Sequence, residues 1–361
     1  MKLGLLQVMQ NWHKDLDDYQ TWQYEIGMAL EADRLGFDSL WCVEHHFEAY
    51  GMCGDNMQYL SYLAGLTKNI RLVPGAVILP WNDPLRVIEK MAMLEYVAPG
   101  RVALGVGRGL SRKEYRGMRQ DMNESRERFD EAIEMILRGL DTGIAENDGA
   151  FYRQPRVEIR PRPRKGYRDS LFCVAMSPDS QMAAARCGAT MMTFIQHAIE
   201  NHVPGIEAWR EEFAKHNPGR AVPAPKLTDV TLCHEDPEEA ERLAHQYIGA
   251  HFSSVMEHYD FAGDHFKDTK GYEAYQQGAD LIKAAGLDGA RTAYINAQNW
   301  GTPEQIIEKY RERQRIVGDF EPLIVLSYAG MPDDVARNSL RLFGEKVIPA
   351  ISKMQLEPAG V

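Results

Sequence analysis

Three titratable side chains stand together at Glu44-His45-His46, directly after the run Phe37-Asp38-Ser39-Leu40-Trp41-Cys42-Val43. A short run rich in apolar, aromatic and β-branched residues reads as a buried strand. A hydrophobic strand that ends in polar groups is what a parallel α/β enzyme shows at its active face. An unperturbed imidazole titrates near pH ~6.5, so these histidines suit proton transfer at neutral pH. If the backbone stays extended, His45 and His46 point to opposite sides. At most one then faces a central site, and the other braces it. A histidine pair is also a common structural or metal-binding element, but a metal needs further ligands at other strand ends. No later strand ends in an obvious His or Asp pair, so no metal is expected.

A second stretch is Gly105 to Arg126, GVGRGLSRKEYRGMRQDMNESR. A dinucleotide fingerprint wants a helix to begin at once and an acid about 20 residues later in a βαβ unit. Here Arg108 interrupts and a charged loop follows, so the Rossmann reading fails and a glycine turn remains. A third is Val174 to Ala185, VAMSPDSQMAAA, with Ser177 as N-cap, Pro178 at the first helical position and Ser180 at the third. The free N–H groups and positive end of such a helix attract an anion. A plain cap is the bland alternative. Pro178 removes one donor, and Asp179 sets a negative charge beside the place an anion would take.

These stretches together resemble the bacterial luciferase superfamily, the luciferase-like flavin-dependent monooxygenases. The matching groups are Trp41 to Phe47, Pro74-Gly75-Ala76-Val77, Arg108-Gly109-Leu110 and Asp121 to Arg126, and the likeness runs from Lys2 to Ile348. It implies an α/β fold, a (β/α)8 TIM barrel with long insertions before the fifth strand and before the last βα unit. It also implies a monooxygenase that takes reduced FMN from a separate flavin reductase, activates O2 as a C4a-peroxyflavin and oxygenates a small apolar organic substrate. His45 becomes the catalytic histidine, with Glu44 and His46 as supports. Arg108 would meet the flavin phosphate, which suits its guanidinium fork. Leu110, Ala175, Met176, Ser177 and Ser180 would line the rest of the cofactor site. Gly75 and Ala76 would support the flavin ring from below through a cis peptide.

Phe261 to Trp300 resembles the family's mobile loop at Thr269, Gly271-Tyr272 and Ile295-Asn296. That implies a lid over 261–300 that keeps water from the reduced flavin. Ser111 stands where luciferase carries a tyrosine, and Met176 where the family carries an acid, so light emission is not favoured. One rival is an enzyme of the same superfamily that uses the deazaflavin F420 for hydride transfer. Another is a non-catalytic flavin-binding partner subunit, against which the presence of both His45 and Arg108 speaks. A homodimer or a luciferase-like heterodimer is the implied assembly.

The elements that must position these residues alternate. Strands are expected at Lys2–Met9, Phe37–Val43, Ile70–Leu79, Arg101–Val106, Leu171–Met176, Thr190–Ile195, Lys226–Cys233 and Leu323–Ser327. Between them fall helices at Thr21–Leu35, Asn56–Thr67, Asp83–Val97, Met122–Leu140, Ser177–Arg186 and Ile206–His216, each with apolar residues at helical spacing or a cap. Asp236 with Glu239, and Thr302 with Gln305, read as capping boxes of two more, and Val335–Ile348 closes the chain. Short links and βα alternation imply a parallel sheet. Asp141–Ser170 is a polar excursion too long for an ordinary link. The whole of 1–361 is expected to form one domain.

Composition narrows the partners. Lys plus Arg is 41 against Asp plus Glu 52, a net charge of −11. Such a surface repels nucleic acid and anionic membranes, so neither is expected. The seven Arg and Lys residues between Arg153 and Arg168 read as a solvated loop. The five cysteines are scattered with no CxxC pair, which indicates no disulfide framework or zinc site and suits a cytoplasmic location. The N-terminus reads as a strand rather than a signal peptide, and no apolar run approaches the ~20 residues of a membrane span.

Overall fold

The structure, a computed structural model, describes residues 1–261 and 263–354. Of the domain expected over 1–361, residues 262 and 355–361 lie outside the described residues.

The chain opens with β1 (Gly4–Gln7) and α1 (Asp18–Arg34). Asp17 caps α1, accepting from Gln20 N–H while Gln20 reaches back to Asp17 N–H. There follow β2 (Ser39–Cys42), α2 (Asn56–Leu66), β3 (Arg71–Pro74), β4 (Val77–Ile78), α3 (Pro84–Val97) and β5 (Leu104–Gly107). After β5 come a short α4 (Arg112–Gly117) and α5 (Ser125–Thr142). The polar excursion is then an antiparallel hairpin, β6 (Ile144–Asp148) with β7 (Arg153–Glu158). Its basic residues are solvated and ion-paired, as Arg156 is with Glu146 and Arg168 with Asp141.

The barrel resumes with β8 (Leu171–Val174), α6 (Pro178–Arg186), β9 (Thr190–Phe194), α7 (Val203–His216) and β10 (Lys226–Val230). Next are β11 (Leu232–Cys233) and α8 (Pro237–His258). The second excursion carries α9 (Glu273–Ala285), α10 (Leu287–Ala297) and β12 (Trp300–Gly301). The last unit is α11 (Pro303–Val317), β13 (Glu321–Val325) and α12 (Asp333–Leu342). The capping box at Thr302 is formed, but the one at Asp236 is only half a box. Asp236 accepts from Glu238 and Glu239 N–H, while its own N–H donates to His234 Nδ1, which displaces Glu239. The closing helix is broken by a π turn over Phe343–Val347.

Nine parallel segments pair in the order β3-β2-β1-β13-β10-β9-β8-β5-β4. The expected third strand is split into β3 and β4, with a cis Gly75–Ala76 peptide between them. Those two halves share one position, and a bridge between Leu72 and Val102 joins the ends. The result is the (β/α)8 barrel. No described helix is long and apolar enough to cross a membrane.

Trp41 floors the barrel, buried and edge-on to Phe172 at 4.8 Å. Room for it comes from absent side chains: a Cβ on Gly75 would lie 2.8 Å from the indole, and one on Gly4 would lie 3.2 Å from its Nε1. Asn56 then ties the exit of β2 to the split strand, donating to Cys42 O and Ala76 O at 3.0 Å each.

A buried carboxyl fastens α1 to two strand exits. Glu25 accepts from Gln7 Nε2 at 2.8 Å and from Ser327 Oγ at 2.6 Å. Burial pushes its pKa up to about 7 from 4.5, so the folded chain holds a proton that the unfolded chain releases. Its stabilising contribution is therefore full below pH 4.5 and is lost as pH rises through about 7. Glu25→Gln should lower the loss of stability between pH 5 and pH 8 by about 2–3 kcal/mol. Urea midpoints of both proteins at the two pH values measure it; equal pH slopes would contradict the buried-acid account.

Candidate active site

The carboxyl ends of the strands surround one cavity. His45 and Glu44 reach it from β2, Gly75 and Ala76 from the split strand, and Gly107 to Leu110 from β5. Met176 and Ser180 come from β8 and α6, and Phe261 and Tyr275 from the second excursion. Gly107 opens the wall, since a Cβ there would sit 3.3 Å from Ala76 Cβ. Of the residues singled out in the sequence, Ala175 and Ser177 stand behind this wall: Ala175 pairs with the neighbouring strand through Met192 O, and Ser177 lines an adjoining apolar cleft. Met176, Gln196, Val255, Phe261, Tyr275 and Tyr294 line both spaces, so cavity and cleft share a wall.

The two histidines do point apart. His46 leaves the cavity and packs beside Trp81 and Phe47, its Nε2 3.1 Å from Glu44 Oε1. Glu44 is fully engaged. It also accepts from Trp81 Nε1 at 2.6 Å, from Asn82 Nδ2 at 2.9 Å and from Ile78 N–H at 3.1 Å. A buried carboxylate with that many donors is a brace rather than a free base.

His45 remains in the cavity, where a carboxylate from a distant part of the chain meets it. Its Nδ1 lies 2.9 Å from Glu114 Oε1, the same oxygen that accepts from His46 N–H at 2.8 Å. Glu114 is buried at the third position of α4, which Ser111 caps. The signal was present as Ser111-x-x-Glu114, a helix-start pattern inside what reads as a charged loop. His258, at the end of α8, completes the group. Its Nε2 is 3.9 Å from Glu114 Oε1, and its Nδ1 donates to Glu48 Oε2 at 2.6 Å. Tyr50 stacks on the His258 ring at 4.1 Å and meets His45 edge-on at 5.0 Å. Burial pushes the Tyr50 hydroxyl well above its ordinary range and pushes His258 well below it. No local pattern marks His258, because it lies more than two hundred residues from His45.

The opposite end of the cavity is cationic. Arg108 is buried, with Nη2 donating to Gly271 O at 2.7 Å, Nη1 3.3 Å from Asp179 Oδ2, and the plane 4.1 Å over the Tyr272 ring. Arg126, the last residue of the Asp121–Arg126 group, was given no role from sequence. It reaches the same place, donating to Asp179 Oδ2 at 2.8 Å and to Ser180 Oγ at 3.2 Å. Ser177 caps α6 by accepting from Ser180 N–H at 3.3 Å. Two guanidiniums and a helix start thus converge on one exposed carboxylate, Asp179. Asp179 stands where an anion would be held.

The second excursion covers this end. Tyr272 donates to Gly109 O at 2.8 Å, and Lys270 N–H to Asn123 Oδ1 at 3.0 Å. Phe261, Phe266 and Tyr272 pack with Tyr115 and Met122 in a small apolar cluster of their own.

A family model described as luciferase-like monooxygenase matches residues 1–319. The alkanal monooxygenase alpha chain of Photorhabdus luminescens is 26% identical over 341 residues, covering 94% of this chain and 93% of that one. Among solved structures, the oxygenating constituent of 3,6-diketocamphane monooxygenase from Pseudomonas putida, in complex with FMN, superposes with a TM-score of 0.76 at 17% identity over 99% of each chain. An F420-dependent secondary alcohol dehydrogenase with an F420-acetone adduct superposes at 0.70, also at 17% identity, over 97% of this chain and 98% of that one. The two structures share the fold with this chain. With the family matched from the first residue through most of the barrel, the chain belongs to the luciferase-like monooxygenases, and it is an enzyme of that family.

Proposed function

We propose that this chain is the oxygenating component of a two-component monooxygenase, taking reduced FMN from a separate reductase and oxygenating a small apolar organic substrate with O2. The observation that carries this is one cavity whose wall holds both Arg108 and a histidine–carboxylate pair, His45–Glu114, with Arg126 bonded to Ser180 and Asp179 just outside it. The residues fit such a cofactor. Arg108, Arg126, Ser180 and the start of α6 suit a phosphate, which would take over the guanidinium contacts that Asp179, 44% exposed, now makes. Gly75, Ala76, Gly107, Leu110 and Met176 leave a flat, largely apolar space beside it. Reduced flavin, when bound, supplies the electrons that activate O2.

The chain's own part is to bind, orient, stay dry and move a proton. Glu114 fixes His45 through Nδ1, which leaves Nε2 to exchange a proton with reactant or substrate. Glu44 and His46 hold the backbone that carries His45. The 261–300 excursion serves as a lid, latched through Gly271 and Tyr272 to the arginine that meets the phosphate. Aromatic and aliphatic walls at Phe194, Phe261 and Val255 receive the substrate.

Titration with reduced FMN and reduced F420 under nitrogen tests the cofactor. Saturable binding of FMN with weak binding of F420 is expected, and the reverse order would favour hydride transfer. Arg108→Ala should weaken FMN binding roughly 10–100-fold, the worth of a charge-assisted contact. Asp179→Asn should tighten it several-fold, and no change in either variant would remove the phosphate from this end. On admission of air, His45→Ala should lower substrate oxygenation by about 10²–10⁴-fold with FMN affinity kept, releasing H2O2 instead. Unchanged turnover would take the proton role from His45, and a chain that binds FMN but never turns over would be the non-catalytic subunit.

A further inference from the structure

We propose that His45, Glu114 and His258 form a binding site for a divalent transition metal of the Zn2+ class, whose occupancy silences the enzyme. Metal binding stands on geometry alone; the silencing rests on the flavin reading above.

One donor atom from each residue lies within 4.8 Å of the other two. The three come from the exit of β2, from α4 and from α8, so tertiary packing assembles them. Two imidazoles and one carboxylate are a borderline N/O donor set, which suits Zn2+, Co2+ or Ni2+ and leaves positions for water. The independent observation is His258. Its side chain is only 1% exposed, yet its Nε2 has no hydrogen-bond partner. Nδ1 carries the proton given to Glu48, so Nε2 presents a lone pair. This nitrogen lies 3.9 Å from Glu114 Oε1, itself an acceptor. Two acceptors this close in a buried site repel, and a cation between them reverses the sign.

The supports fit as well. Glu48 on the far nitrogen of His258 is the outer carboxylate that fixes a metal-binding imidazole in its tautomer. Glu48 is held in turn by an ion pair with Lys113, and Tyr50 keeps the ring plane by stacking. Bonds of about 2.1 Å place neighbouring ligand atoms about 3.0–3.5 Å apart. The His45–Glu114 pair is already at 2.9 Å, His258 lies 3.9 Å from Glu114, and all three donors lie within 4.8 Å, so His258 closes inward when a metal binds. When Nδ1 of His45 binds the metal, its proton sits on Nε2, and the ring can no longer accept one from the cavity.

The test uses the full chain stripped with a chelator. Co2+ is titrated while its visible d–d bands are recorded, and Zn2+ is added in competition. Bands that saturate at one metal per chain and are displaced by Zn2+ are expected. His258→Ala and Glu114→Gln should each weaken Co2+ binding at least tenfold. His258→Gln, which keeps most of the volume, replaces His258→Ala if that variant does not fold. No saturable bands, or bands of wild-type strength in folded His258 and Glu114 variants, would overturn the site. Zn2+ should also stop oxygenation in the wild type. Metal bound with turnover untouched would overturn the silencing while leaving the site, and so separates the two claims.

Discussion

One carboxylate oxygen organises the reactive wall. Glu114 Oε1 holds both the His45 ring and the His46 backbone N–H, so it sets where the chain goes as it leaves β2. The consequence is a division of labour between adjacent histidines. One ring stays in the cavity, and the other turns out to Glu44. Extended geometry alone would send them to opposite sides. The carboxylate decides which of the two faces the cavity. Without it, His45 would keep its place in sequence but lose the contact that fixes its tautomer and plane.

At the far end, Arg108 has a comparable position. It is gripped by the carbonyl of Gly271, by the Tyr272 ring and by Asp179. These partners tie together the β5 exit, the second excursion and the start of α6. A phosphate arriving there would replace Asp179 as the counter-charge for Arg108 and Arg126.

Much of this was legible in the sequence. The eight barrel strands each carry a compact apolar run, and the helix starts carry caps that the structure forms at Asp83, Ser177 and Thr302. The cluster at Glu44–His46 and the glycines around Arg108 stood out because several unusual residues sit close together along the chain. What escaped was non-local or patternless. Glu114 and His258 meet His45 only through packing, and each alone looks like an ordinary charged or helical residue. The β6–β7 hairpin was hidden because its second strand is exposed along almost its whole length, so no inward-facing period of two marks it. In the second excursion the two helices Glu273–Ala285 and Leu287–Ala297 bury few of their residues, so neither carries a strong apolar stripe that faces a core. The half-formed box at Asp236 failed because His234 took the backbone donor first.

A flavin phosphate held between Arg108, Arg126 and the start of α6, with the ring over Gly75–Ala76 toward His45, would be visible in a crystal of the protein soaked with FMN. Phosphate density is expected within hydrogen-bond distance of both guanidiniums and Ser180, with Asp179 displaced. Density for the phosphate beside His45 and Glu114, or for the ring outside the barrel mouth, would contradict it.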